Sequence, residues 1–113
     1  MPISVLVGHL VGDYLLQNDW MAAGKKKSSF ICAVHVALYT LAVLVLSGEW
    51  SPVIATGVAV PHFLIDRWGF IAWWMKFMRQ PAFMEPPMSP WSRIVVDNVW
   101  HIMCLHCLFL ATA

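Results

Sequence analysis

The chain has 113 residues, 60% of them hydrophobic and only 12% charged, whereas a soluble domain carries about a quarter charged residues. That balance makes a bilayer, not water, the expected surroundings. A formal net charge of +1 excludes the polybasic character of a nucleic-acid binder, and no nucleic-acid partner is expected.

Four charge-poor segments follow one another at about residues 3–18, 29–47, 53–75 and 93–112. Each is long enough, or nearly so, to cross about 30 Å of hydrocarbon as a helix. Backbone polar groups in lipid must be satisfied internally, and segments of this length favour helices over barrel strands. The expected fold is therefore an all-α membrane protein, a single antiparallel bundle of four transmembrane helices. The first segment is the shortest. It is read as a span and not a signal peptide, because no basic region precedes it and Asp13 interrupts its apolar run.

The first connection, "NDWMAAGKKKSS" (18–29), carries Lys25, Lys26 and Lys27; the second, "SGEWSP" (47–52), has no basic residue. The third, about 76–92, holds Lys76 and Arg79, with Arg93 just beyond it and Pro81, Pro86, Pro87 and Pro90 within it. Basic loops stay in the cytoplasm, so both termini are expected outside. Trp20, Trp50 and Trp91 lie near span ends, as interfacial tryptophans do. "WGFIAWWMKFMR" (68–79) mixes aromatics with cations and suits the membrane surface. The prolines oppose a regular helix through the third loop, which reads as a connector.

Three cysteines, Cys32, Cys104 and Cys107, all fall in apolar segments. An odd number so distributed is not a disulfide framework. "CLHC" (104–107) has the spacing of a metal pair but no second pair to complete it, and reads as buried thiols.

Only three acids lie well inside the spans, and each has a histidine four residues away: His9 with Asp13, His62 with Asp66, and His101 with Asp97. By chance about one Asp in ten would have such a partner, so three together carry information. Residues four apart share a helix face and can serve one site. Asp13, Asp66 and Asp97 sit about five, nine and four residues from the cytoplasmic span ends, and His35 about six, which is one slab at 1.5 Å per residue. The motif reverses from H-x-x-x-D to D-x-x-x-H as the fourth helix reverses direction, keeping each His on the outer side of its Asp.

Three carboxylates in low dielectric cannot all stay ionised uncompensated. Imidazole with carboxylate suits Zn²⁺ or Mn²⁺, so His9, Asp13, His35, His62, Asp66, Asp97 and His101 are expected to hold one or two divalent ions. Arg67, adjoining Asp66 but about 100° round the helix, can serve only one acid. Gln17 and Asn98 are expected to support the ligands or touch substrate. Gly8 and Gly12 form a small-xxx-small packing patch, Pro61 kinks the third helix beside His62, and His106 points elsewhere. A set of His–Asp couples satisfying one another and gluing the helices is the structural alternative.

The run "GHLVGDYLLQNDWMA" (8–22), with a lysine-bearing loop, His35 in the second helix and "HFLIDRW" (62–68) in the third, resembles a family of small bacterial and phage inner-membrane proteins of unknown function. The resemblance covers most of the chain and marks His9, Gly12, Asp13, Gln17, Asp19, Trp20, His35, His62 and Asp66; "DNVWH" matches only loosely. It implies a multi-pass protein of the bacterial inner membrane. More distantly, the chain is similar to membrane-embedded metal-dependent hydrolases.

Three functions are expected in order. The first is a metal-dependent hydrolase acting on a lipid or lipid-linked substrate from the cytoplasmic leaflet. The second is a cation or proton channel or carrier, although "VIATGVAV" (53–60) and "MCLHCLFLATA" (103–113) offer little polarity for a path. The third is a non-catalytic membrane protein with an envelope partner or a second copy.

Overall fold

The computed structural model describes residues 1–113, and every regular element in it is helical. α1 (Ile3–Leu10) runs directly into a π-helical turn, Val11–Leu15. Asn18 accepts from the Met21 N–H and starts α2 (Asp19–Gly24). α3 (Ser29–Ser47) starts at a Ser28 cap, and α4 (Pro52–Arg67) at a Ser51 cap with Pro52 where its missing N–H costs nothing. α5 (Phe70–Phe77), the single turn α6 (Pro81–Met84) and α7 (Trp91–Ala111) complete the chain.

The expected second and fourth spans coincide with α3 and α7. The other two are corrected. The first helical column stops by Leu16, and Asn18 turns what read as a connector into α2, because its side chain supplies a cap that the apolar pattern does not reveal. The third breaks after Arg67 at Trp68–Gly69. Gly69 is left-handed at φ 65°, a conformation costing a residue with a β-carbon about 1–2 kcal/mol, and the chain leaves along a new axis as α5. α3 and α7 are long and apolar enough to cross a membrane. α4, at 16 residues, and the Ile3–Leu15 column fall short of the roughly 20 residues a span needs.

α1 packs on α3, α3 on α4, α4 on α7, and α7 returns to α1, closing an antiparallel ring. The α1–α3 approach is the tightest. A β-carbon on Gly8 would lie 2.8 Å from Val43 Cα, and one on Gly12 2.7 Å from the Tyr39 ring. Glycine lets backbone lie on backbone where a larger residue would hold the helices apart.

Inside the ring, two apolar clusters enclose a polar layer. Val5, Val43, Leu44, Ile54, Val58 and Leu105 fill one end; Ile65, Ile71, Met75 and Met84 fill the other, against Phe70 and Trp100. The outward surface is unusually oily, with Leu15, Phe30, Trp50, Val53 and Leu110 each more than 60% exposed. Apolar outside and polar within inverts the ordinary soluble pattern.

Candidate metal centre

Four helical columns deliver the polar layer. The α1 column and its π turn supply His9 and Asp13, α3 supplies His35, α4 supplies His62 and Asp66, and α7 supplies Asp97 and His101. His9, His35, His62, Asp66 and His101 are at most 2% exposed and Asp13 is 7% exposed, so none of these rings faces outward. The π turn matters to the register. It widens the helix at Asp13, so that the His9–Asp13 pair opens to 3.8 Å and the carboxylate swings toward α3 and α4. A π turn inside an α-helix is a frequent companion of functional sites.

Two groupings result. In the first, Asp13, His35, His62 and Asp66 point single ligand atoms at one another. His35 Nε2 lies 3.0 Å from His62 Nε2, 3.2 Å from Asp13 Oδ1 and 3.2 Å from Asp66 Oδ2. His62 Nε2 lies 3.4 Å from Asp13 Oδ1 and 3.0 Å from Asp66 Oδ2. Tetrahedral coordination with bonds of about 2.0–2.1 Å sets ligand-to-ligand edges at about 3.3–3.4 Å. The five observed edges run from 3.0 to 3.4 Å. Asp13 Oδ1, one of the four converging atoms, has no hydrogen-bond partner, and the Nδ1 atoms on the far side of the His35 and His62 rings have none either.

The second grouping joins Asp13, Asp97 and His101. His101 Nε2 is 3.3 Å from Asp97 Oδ1 and 3.1 Å from Asp66 Oδ1. Asp13 is common to both, and Asp66 links them as well, with Oδ2 toward the first and Oδ1 toward His101 of the second. These buried His and Asp groups are positioned to hold a metal ion, and the donor set of imidazole nitrogens and carboxylate oxygens fits a divalent cation. The rings are held by stacking: His62 lies between Tyr39 and His101, with centroids 3.7 and 4.0 Å away.

His9, expected among the ligands, lies outside both groupings. Its Nε2–H donates to Asn98 Oδ1 at 2.8 Å, and its Nδ1 accepts the Tyr39 hydroxyl at 2.7 Å. With both nitrogens engaged, His9 supports the layer and has no lone pair left for an ion. Asn98 donates on to Tyr14 and to the Ile94 carbonyl.

Arg67, expected beside one of the acids, turns outward instead. It donates to the Lys26 carbonyl at 2.7 Å and to Ser29 Oγ at 3.1 Å, tying the α2–α3 connection to the end of α4. The cation that reaches the acids is Lys25. Its Nζ donates to Asp66 Oδ2 at 3.2 Å and to Gln17 Oε1 at 3.0 Å, so Gln17 acts on the layer by holding this lysine. Burial pulls the Lys25 ammonium down, but Asp66, Asp13 and Asp97 more than offset it and leave its pKa above the ordinary lysine range. Three carboxylates face one ammonium, and the remaining negative charge is left for protonated imidazoles of the layer or for a bound divalent ion to neutralise.

Sequence reasoning missed Lys25, Tyr39 and Tyr14. Tyr39 was findable, because it follows His35 at the same spacing of four that marks the His–Asp pairs. Lys25 was hidden in a run of three lysines whose orientation signal gave no reason to single one out. Cys32, Cys104 and Cys107 are free thiols outside both groupings.

Beside the layer a cavity of about 340 Å³ opens between Lys25, Lys26, Gly69, Ile71, Ala72, Arg93, Ile94 and Asp97. A larger one of about 610 Å³, at the far end near Met1, Glu49 and Phe109, touches none of the polar layer.

No curated protein and no solved structure matches the chain, and these comparisons lend nothing to the distant hydrolase similarity. A family model does match, over residues 1–113, and the chain belongs to the family it describes, "Protein of unknown function (DUF3307)".

Proposed function

We propose that this is a multi-pass inner-membrane protein that binds one or two divalent cations, Zn²⁺ or Mn²⁺, and hydrolyses an ester in a lipid or lipid-linked substrate reached from the cytoplasmic leaflet. One observation carries the reading: four ligand atoms from three helical columns converge with five of their mutual distances between 3.0 and 3.4 Å, close to the edges of a tetrahedral site. An ion held there would lower the pKa of a bound water and polarise an ester oxygen.

The chain's own residues supply the rest. Asp66 ties the two groupings into one unit, Lys25 limits the negative charge that must be neutralised, and Tyr39 and His101 clamp the His62 ring. Charged residues this deep in an apolar bundle are expensive, and in membranes they usually mark function. The shorter α1 and α4 columns are compatible with spanning if the bilayer thins locally around them. A conducting path finds less support, since Val5, Val43, Leu44, Ile54, Val58 and Leu105 close the far end of the layer.

The test is metal analysis of protein purified in mild detergent without chelator, wild type beside Asp66→Asn, followed by ester hydrolysis with each ion restored. Near-stoichiometric zinc or manganese in wild type, its loss in the variant and ion-dependent turnover are expected. Wild type holding less than about a tenth of an equivalent would end the metal reading. Full metal without turnover on phosphate or acyl esters of lipids would end the enzymatic one.

A further inference from the structure

The cavity at Lys25, Lys26, Arg93 and Asp97 has a composition unlike the rest of the interior. Three of its eight lining side chains are cations and one is a carboxylate; Ile71, Ala72 and Ile94 supply its apolar wall. It touches the polar layer at two points, through Asp97, which belongs to the second grouping, and through Lys25, which donates to Asp66.

Its donors are only partly used. Lys26 Nζ has no ion-pair partner. Arg93 is oriented by its Nε–H, which donates to the Met84 carbonyl at 2.8 Å, while one terminal nitrogen meets Glu85 at 3.2 Å. That ion pair is 39% and 61% exposed, and exposed pairs hold weakly. The remaining Arg93 nitrogen and the third Lys25 proton are free. Three charged donors from two chain segments suit a group with several acceptor oxygens and more than one negative charge, as a phosphate monoester has. A planar carboxylate would satisfy fewer of them.

All seven basic residues lie on the α2–α3 connection, the end of α4, α5 with its following turn, or the start of α7, which is the cytoplasmic headgroup level under the positive-inside rule. A volume near 340 Å³ is at the small end of the roughly 300–1,000 Å³ typical of ligand sites. It admits a headgroup and leaves the acyl chains outside, along the helices that wall it, where Trp73 of α5 and Val95 of α7 are more than half exposed.

We propose that this cavity binds the phosphate monoester headgroup of a membrane lipid, the phosphate lying between Lys26 and Arg93 with its ester linkage turned toward Asp97. The assignment rests on the hydrolase reading for its catalytic meaning and narrows the substrate class from esters in general to phosphoesters. Binding itself needs only the cavity.

Calorimetric titration of the full chain in neutral detergent with dihexanoyl phosphatidic acid, and separately with inorganic phosphate, tests it. Wild type is compared with Lys26→Gln, Arg93→Gln and Lys76→Gln, and metal content is measured in each. Lys26 is exposed and bonds to nothing through its side chain, so Lys26→Gln leaves the fold intact even if Arg93→Gln does not. The expected result is saturable phosphatidate binding, weakened about tenfold by Lys26→Gln, unmoved by Lys76→Gln, with metal content constant. Equal weakening by Lys76→Gln, no effect of Lys26→Gln, or no binding overturns the proposal. Inorganic phosphate binding as tightly as the lipid overturns its lipid part. Specific phosphatidate binding to a wild type devoid of metal supports the cavity and rejects the hydrolase reading, so the two failures are separable.

Discussion

Both oxygens of Asp66 are committed, Oδ1 to His101 and Oδ2 to His35, His62 and Lys25. Removing its charge while keeping its shape takes one ligand from the first grouping and weakens the link to His101 of the second. Tyr39 offers the contrasting case. Its hydroxyl serves His9 and its ring serves His62, so Tyr39→Phe removes the hydrogen bond and keeps the stacking. We expect Tyr39→Phe to cost about 1 kcal/mol of stability and to retain its metal, whereas Asp66→Asn loses it. Denaturation midpoints alongside metal content check both, and metal loss in Tyr39→Phe would make the hydroxyl itself a member of the site.

Helix geometry aims these side chains. Asp13 sits in the π turn at Val11–Leu15, and Gly8 of α1 with Gly12 of that turn lets the column approach α3 so closely that the carboxylate lies 3.2 Å from His35. Gly12→Leu puts its β-carbon into the Tyr39 ring, and overpacking of this kind costs about 1–3 kcal/mol. The expected outcome is a lower denaturation midpoint with metal occupancy falling in step, because two of the three columns that build the first grouping are pushed apart. Gly69→Ala strains the elbow alone. Its stability should fall by about 1 kcal/mol with occupancy maintained; lost occupancy would show that the direction of α5 controls the site.

For the molecule as a whole, a cation bound to the folded layer and not to the unfolded chain makes stability depend on that cation. An ion at a hundredfold excess over its Kd contributes about 2.7 kcal/mol, so chelation should lower the thermal midpoint by roughly 10 °C in a chain of this size. An unchanged midpoint in protein that demonstrably loses metal would separate binding from folding. Orientation is testable too. In a cysteine-free background, a cysteine at Ser89 should be labelled from the cytoplasmic side of membrane vesicles and one at Glu49 from the other. Labelling of both from one side would rule out the proposed crossing pattern.

Composition and hydropathy alone were enough to establish an all-helical chain with an apolar exterior, and the α3 and α7 segments lie close to their expected limits. A spacing of four between His and Asp is a local property of helices, so it announced that His62, Asp66, Asp97, His101 and Asp13 would share a layer. His9 shared that spacing and still stayed out of the groupings, because Tyr39 took one of its nitrogens and Asn98, 89 residues away, the other. Arg67 and Lys25 exchanged their expected roles for a similar reason: a long side chain goes where partners lie, and the partners came from other helices. The elbow at Gly69 and the cap at Asn18 also escaped the apolar pattern, which records burial and not backbone direction. Periodicity along one helix was readable from the residues themselves; which atoms meet across helices was decided only by their packing, since ligand geometry depends on distances of a few tenths of an ångström that no linear spacing encodes.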